Sequence, residues 1–200
     1  MCAFAKTAPK TPEDDRACER QVFIALKLAP EIAQELAALG AGVAGAGIRR
    51  IAVADIHLTL VPPWNESAVA NVVDRLTRIA ASQRPFDLIF KHVAYGPNPR
   101  RPRLLWAECA ASNELTGLYA ALLAAFERTQ ERPFRPHVTL ARIRDHSRAA
   151  ARQHPIDREL ALSQRVMSVE LMQSPPPGAF GYTVLASVPL GTAETPANPG

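Results

Sequence analysis

Two short stretches of the sequence repeat the pattern His-x-Thr-Leu: IHLTL contains His57 and Thr59, and PHVTL contains His137 and Thr139. The chain holds 5 histidines and 10 threonines in 200 residues. At that composition, a given histidine is followed by threonine two places later about one time in twenty. Two such pairs among five histidines, each followed by leucine, exceed what this composition produces by chance. The repeat therefore indicates a function.

The spacing of the motif suits acid–base chemistry at phosphorus. In a β-strand, residues i and i+2 point to the same face, so each histidine shares a face with its threonine while the aliphatic neighbours point to the core. An imidazole gives or takes a proton near neutral pH, and a threonine hydroxyl donates to a phosphate oxygen. Two pairs facing across a cleft would place a base and an acid on opposite sides of a phosphodiester. We predict His57 and His137 as catalytic and Thr59 and Thr139 as substrate-binding, without a metal or cofactor.

Either motif alone would be read more simply as a structural histidine, and only the pair favours catalysis. The other three histidines lie outside any motif, and we interpret them as structural or surface residues: His92, His146 and His154. No pair of histidines has metal-ligand spacing on a helix. The three cysteines lack C-x-x-C spacing, which argues against a disulfide framework or a zinc site and fits a reducing cytoplasm.

The composition is that of a globular protein with a mildly basic surface. Apolar residues make up 48% of the chain and charged residues 21%, and the net charge is +4. This charge is compatible with a phosphate-bearing substrate. No stretch approaches 18 consecutive apolar residues, so we expect no membrane span, and the N-terminus lacks the apolar region of a secretory signal. We expect a cytoplasmic monomer.

Strand and helix patterns alternate along the chain and predict an α+β fold. The predicted strands are 21–28, 49–53, 56–61, 86–93, 104–110, 134–143, 166–173 and 182–190, and the predicted helices are 30–39, 65–82 and 113–129. Segment 144–163 shows no clear pattern. Each half follows a rough strand–helix–strand order around its motif, which suggests a duplicated unit folded into two lobes. We predict one domain over 19–190, with flexible tails at 1–18 and 191–200.

Four sequence blocks resemble the 2H phosphoesterases, and within them the bacterial RNA 2′,3′-cyclic phosphodiesterases, which are also named 2′-5′ RNA ligases. The blocks are QVFIALKLAPEIAQEL, IHLTL, GPNPRRPRLLWAE and RPFRPHVTLARI. The C-terminal VELMQSPPPGAFGYTVLASVPL is similar to the last hairpin of the family, with Ser174 before the turn and Tyr182 after it. The resemblance covers about residues 20–190.

The resemblance implies two lobes, each with an antiparallel sheet flanked by helices, and a central cleft lined by the two motifs. It also implies that Arg142 contacts the phosphate. Counting by two from His137 leads to Thr139 and Ala141, so Arg142 falls on the opposite face unless the strand ends or bulges first.

The sequence departs from the family pattern next to the first motif. Residues 61–64 read VPPW where the family has an aromatic-Leu-Gly segment, Gln21 stands where the family often has arginine, and the connector 40–47 is rich in glycine. Trp64 could stack on an unpaired base or pack within the protein, and Phe23 has the same two interpretations. We include both among the candidate substrate-binding residues.

These features predict a metal-independent hydrolase that converts RNA 2′,3′-cyclic phosphate ends to 2′-phosphate ends, with one histidine as general base and the other as general acid. In the family, the base role is commonly given to the second-motif histidine. Two alternatives use the same cleft: 2′-5′ RNA ligation, and hydrolysis of small cyclic nucleotides. A third is of another class, a non-catalytic module that binds nucleotides or RNA. The expected partners are therefore RNA ends or small cyclic nucleotides.

Overall fold

The computed structural model describes residues 19–43, 47–129, 132–147, 149, 153 and 155–191. The predicted tail 1–18, and the predicted tail 191–200 beyond its first residue, lie outside the described residues. The elements, in chain order, are β1 (Arg20–Lys27), α1 (Pro30–Gly40), β2 (Ile48–Arg50), β3 (His57–Glu66), α2 (Val69–Ala81), β4 (Phe86–Gly96), β5 (Leu104–Cys109), α3 (Asn113–Ala125), β6 (His137–Ile143), β7 (Asp157–Val166), β8 (Ser168–Gln173) and β9 (Thr183–Pro189). Short 3₁₀ turns cover Val53–Asp55 and Asp145–Ser147. The predicted α+β class is confirmed.

The strands form one antiparallel sheet in the order β7-β4-β5-β6-β3-β1-β8-β9, with β2 paired to β6. This corrects the prediction of two separate sheets. The two halves of the sheet meet where β3 pairs with β6, and the register records one ladder pair there, Leu58 opposite Val138. Both side chains are fully buried, so this seam lies within the hydrophobic core. Strands β8 and β9 return from the end of the chain to lie beside β1.

Helices α1, α2 and α3 pack on the aliphatic face of the sheet. Helix α1 begins with Pro30 in its first turn, where proline is tolerated, and α3 is capped by the Ser112 side chain, which accepts a hydrogen bond from the Leu115 amide. One buried cluster joins helix and strand residues: Leu36, Leu76, Leu118, Leu122, Leu58, Leu60, Val138 and Leu140. The histidines and threonines of the motif strands lie on the opposite face from this cluster.

Strand β7 and the start of helix α2 differ from the sequence-based expectation. Strand β7 begins within segment 144–163, for which the sequence predicts no element, and it forms an edge of the sheet along β4. Helix α2 begins at Val69 instead of residue 65 because β3 continues to Glu66. The Glu66 carboxylate then accepts the Ala68 amide at 2.8 Å, close to the start of the helix. None of the described helices is long and apolar enough to cross a membrane.

Candidate active site

The two motifs lie side by side at the centre of the sheet. Because Leu58 and Val138 are ladder partners on the core face, the flanking motif side chains share the opposite face. There they line one pocket, whose residues are Ile51, Asp55, His57, Thr59, His137, Thr139, Arg142 and Tyr182. The structure therefore brings together the four motif residues identified from the sequence.

Both histidines are anchored in the same way. Nδ1 of His57 lies 2.7 Å from the carbonyl oxygen of Asp55, and Nδ1 of His137 lies 2.8 Å from the carbonyl oxygen of Arg135. A carbonyl oxygen only accepts hydrogen bonds, so Nδ1 must be the donor in each ring. In the neutral imidazole, Nε2 is then unprotonated and is the nitrogen available to take up a proton.

Each histidine is also packed against aromatic rings. The Phe23 and Tyr182 rings lie 5.1 Å from each other and each lies 5.0 Å from the His57 ring. The Trp106 ring lies 4.5 Å from the His137 ring. Phe23 is only 2% exposed. It is placed to hold His57 in position, and it has little free surface for a base.

Burial is the largest cause of the lowered pKa of both His57 and His137 relative to the ordinary value of 6.5. The Arg142 guanidinium lowers both pKa values further, because a nearby cation disfavours a second positive charge. The Asp55 carboxylate opposes this at His57, and the Glu108 carboxylate opposes it at His137. The pocket therefore favours neutral imidazoles near neutral pH.

Arg142 reaches this face because β6 bulges. Trp106 of β5 lies opposite Thr139, whereas the preceding Leu105 lies opposite Ala141, so Leu140 is an extra residue in β6. The extra residue restarts the alternation, and Arg142 then points to the face of His137. Simple counting by two places Arg142 on the opposite face, and the bulge explains why the structure differs.

The same irregularity occurs in the first motif strand. Ala25 lies opposite Thr59 and Ile24 lies opposite Val61, which leaves Leu60 as the extra residue of β3. The position equivalent to Arg142 is occupied by Pro62, so the first motif supplies no cation there.

Trp64 is not among the residues that line the pocket. Its ring lies 5.6 Å from Phe126, below the Arg128 guanidinium, and its indole N–H donates to the Glu66 carboxylate at 3.1 Å. These contacts support the packing interpretation of Trp64 over base stacking.

Three residues that line the pocket are not among the candidates predicted from the sequence: Ile51, Asp55 and Tyr182. The Tyr182 amide donates to Oδ1 of Asp55 at 2.9 Å, and the main-chain carbonyl of the same Asp55 accepts from His57. Asp55 therefore connects the β8–β9 hairpin to the first histidine. In the sequence, Tyr182 belongs to the C-terminal block that resembles the family, and no pattern distinguishes Asp55.

Within the described ranges, no group of three or more His, Cys, Asp and Glu residues is arranged to hold a metal ion. His92, outside the pocket, lies 3.7 Å from the Glu108 carboxylate and 3.8 Å from that of Asp157. These contacts fit its interpretation as a structural residue.

Comparison with known sequences identifies one family. A family model described as the 2′-5′ RNA ligase superfamily matches residues 25–175. An RNA 2′,3′-cyclic phosphodiesterase of Archaeoglobus fulgidus is 23% identical over 130 residues, which are 62% of this chain and 73% of that protein. One of Aquifex aeolicus is 28% identical over 102 residues, which are 47% of this chain and only 54% of that protein.

Comparison with solved structures supports the fold. A Thermus thermophilus crystal structure aligns with a TM-score of 0.72 at 23% identity, covering 86% of this chain and 99% of that one. The crystal structure of E. coli LigT complexed with 3′-AMP aligns with a TM-score of 0.65 at 25% identity, with the same coverage of 86% and 99%.

Proposed function

The chain belongs to the 2′-5′ RNA ligase superfamily of 2H phosphoesterases, and we propose that it hydrolyses RNA 2′,3′-cyclic phosphate ends to 2′-phosphate ends without a metal. The observation behind this proposal is the pair of imidazoles, each anchored through Nδ1 to a carbonyl and each lining one pocket with two threonines and Arg142. The curated relatives are named RNA 2′,3′-cyclic phosphodiesterases, which supports the same substrate.

The proposed reaction is an in-line displacement at phosphorus. Nε2 of one histidine takes a proton from water as the water oxygen bonds to phosphorus. The bond from phosphorus to the ribose 3′ oxygen breaks, and the other histidine donates its proton to that oxygen. The products are a 3′ hydroxyl and a 2′-phosphate. One Nε2 gains a proton and the other loses one, so the two histidines together carry a single Nε2 proton before and after the reaction.

In this proposal, Thr59, Thr139 and Arg142 bind the nonbridging oxygens of the phosphate. Two hydroxyl donors and one guanidinium supply the fixed dipoles and charge that stabilise an anionic transition state. The bound phosphate also opposes the effect of Arg142 on the imidazoles, because its negative charge favours a protonated histidine. The substrate itself thereby helps to keep the general acid protonated.

We further propose that the centre is built from a duplicated unit arranged as two lobes. Three local features recur around the motifs and support this: Nδ1 donates to the carbonyl two residues earlier, an aromatic ring of a neighbouring strand contacts the imidazole, and an extra residue follows the threonine. We also propose that 19–190 is a single domain that acts as a cytoplasmic monomer, since residues of one chain suffice to line the pocket.

The proposal is tested with purified protein, EDTA and an RNA oligonucleotide that ends in a 2′,3′-cyclic phosphate. We expect conversion to a 2′-phosphate end, identified by mass and by its resistance to a 3′-specific phosphatase. A 3′-phosphate product, or activity that requires an added metal, would contradict the proposal. A reaction containing a second RNA with a 5′ hydroxyl would show whether ligation competes with hydrolysis.

A further inference from the structure

A second cavity opens beside the reaction pocket. The two share Ile51, Asp55 and Tyr182, and the second is also lined by Arg49 and Phe180. The reaction pocket has a volume of about 40 Å³, and the second cavity about 220 Å³. Pockets that enclose whole small molecules usually have volumes of about 300–1,000 Å³. The reaction pocket therefore has room for little more than the reacting phosphate, and the rest of a nucleotide must lie in an adjoining space.

Arg49 is a cation that lies beside Arg142 and lines the second cavity. It lies directly opposite Arg142 in the β2–β6 ladder, so the two side chains share a face and their Cα atoms are about 4.5–5.5 Å apart. Arg49 is exposed and forms no ion pair with any carboxylate of the described residues. A free guanidinium in this position is suited to a second phosphate group of the same ligand.

Phe180 supplies an apolar surface at the mouth of the cavity. Its side chain is 80% exposed, the largest fraction among the exposed large hydrophobic residues of the described chain. Phe180 lies in the β8–β9 hairpin, two residues before Tyr182, whose amide is hydrogen-bonded to Asp55. This bond holds the hairpin tip against the reaction pocket, so the aromatic ring is tethered near the site where the ribose must lie. An exposed ring of this kind is suited to stacking on an unpaired base.

Building on the proposed function, we propose that the second cavity binds the terminal nucleoside of the RNA substrate. Its base stacks on Phe180, and the phosphate on its 5′ side contacts Arg49. The enzyme then recognises two phosphates of one nucleotide, the cyclic phosphate through Arg142 and the 5′ phosphate through Arg49. A cyclic mononucleoside without a 5′ phosphate lacks one of these contacts, so the cavity makes the enzyme selective for RNA ends.

The Arg49 contact is tested with two substrates that differ in a single group: adenosine 2′,3′-cyclic phosphate with a 5′ hydroxyl, and the same compound with a 5′ phosphate. For the wild-type protein we expect kcat/KM to be about tenfold or more higher with the 5′ phosphate, because the added contact is charge-assisted. Arg49→Gln should remove this preference and leave kcat/KM for the 5′-hydroxyl substrate within about twofold. Arg78→Gln, an exposed arginine on α2, is the matched control and should preserve the preference.

The Phe180 contact is tested with a substrate that has no base, ribose 2′,3′-cyclic phosphate. Phe180→Ala should raise KM for the 5′-phosphorylated adenosine substrate about fivefold or more, because base stacking on an aromatic ring is lost. The same substitution should leave kcat/KM for the baseless substrate unchanged. Met167→Ala, at a residue that is 57% exposed, is the control for trimming an exposed apolar side chain.

The outcomes separate this inference from the proposed function. Equal wild-type rates with and without the 5′ phosphate, or an equal loss on both substrates in Arg49→Gln, would overturn the inference while hydrolysis persists. If the wild-type protein hydrolyses neither mononucleotide and also leaves a cyclic-phosphate RNA end intact, the proposed function fails, and calorimetry then tests the cavity alone. In that case adenosine 2′,5′-bisphosphate should bind more tightly than adenosine 2′-monophosphate to the wild-type protein but not to Arg49→Gln. Equal affinities in the wild-type protein would overturn the inference.

Discussion

A main-chain carbonyl two residues before each histidine determines which ring nitrogen is available for chemistry. The carbonyl groups of Asp55 and Arg135 hold Nδ1 of His57 and His137, and main-chain anchors of this kind do not titrate. The surroundings of the two rings nevertheless differ. His57 packs against Phe23 and Tyr182, whereas His137 packs against Trp106. This asymmetry allows the two imidazoles to take different roles in one reaction.

The pH profile of kcat/KM should report these environments. Hydrolysis needs one neutral and one protonated imidazole, so kcat/KM follows a bell centred on the mean of the two free-enzyme pKa values. Burial, the largest cause, lowers the pKa of both His57 and His137 from 6.5. We therefore expect the centre of the bell below pH 6.5, measured with a cyclic phosphate substrate between about pH 4.5 and 9. A centre well above pH 6.5 would contradict the burial argument.

Substitution of Arg142 should both slow the reaction and shift this bell. The guanidinium lowers the pKa of His57 and His137, so Arg142→Gln should raise both values and move the bell to higher pH. Loss of a charge that stabilises the transition state should also reduce kcat by about a hundredfold. Arg142→Lys keeps the positive charge and is the control: the bell should stay in place even if kcat falls. An unshifted bell in Arg142→Gln would show that the guanidinium lies too far from the imidazoles to act on them.

At the scale of the elements, strand alternation predicts the motif faces but not the position of Arg142. His57 and Thr59 share a face by local strand geometry alone, as their spacing predicts. The bulge at Leu140 depends on the register between β5 and β6, which are distant in sequence, so no local pattern reports it. The sequence does not predict strand β7 for a related reason. It is an edge strand whose residues are mostly exposed or half-buried, so its apolar alternation is weak.

The β8–β9 hairpin depends on a glycine conformation. Gly181 has a φ of +88°. Gly117 lies inside helix α3 and serves as a comparison. An added Cβ would meet no atom within 4 Å at either position, so steric clashes do not contribute to either substitution. Gly181→Ala should therefore cost about 1–2 kcal/mol by backbone strain alone, and should raise KM by displacing Tyr182. Gly117→Ala should instead stabilise the protein by about 0.5–1 kcal/mol, because alanine favours the helix. Urea unfolding measures the stability of both variants, and steady-state kinetics measures their KM. Equal stability changes of the same sign in Gly181→Ala and Gly117→Ala would contradict the role of the positive φ at Gly181.

At the scale of the whole molecule, the active site lies across the seam between the two halves of the sheet. One histidine comes from each side, and Leu58 opposite Val138 is the ladder pair recorded there. The sequence predicted the pairing of the two motifs in one cleft, but it did not predict one continuous sheet. Whether two half-sheets join depends on how β3 and β6 meet across the core, which is a long-range contact.

A substitution that weakens the contact between β3 and β6 should reduce activity more than a substitution that lowers stability equally elsewhere in the fold. Leu58→Ala and Leu36→Ala both remove a fully buried leucine side chain, and each should cost about 2–5 kcal/mol. Leu58 belongs to the ladder pair that joins the two motif strands, whereas Leu36 lies on helix α1. Among molecules that remain folded, we expect kcat to fall in Leu58→Ala and to be retained in Leu36→Ala. Equal kcat values per folded molecule would show that the seam does not position the histidines.

The most direct test of the two-histidine account is a double-substitution series, His57→Gln, His137→Gln and both together, assayed for single-turnover hydrolysis of a cyclic-phosphate RNA end in EDTA. Each single substitution should slow the chemical step by about 10²–10⁴-fold, because one proton transfer is lost. The double substitution should be only slightly slower than the worse single one, since residues that act as a unit have non-additive effects. Hydrolysis at the wild-type rate in either single variant, or losses that multiply fully in the double variant, would contradict the account.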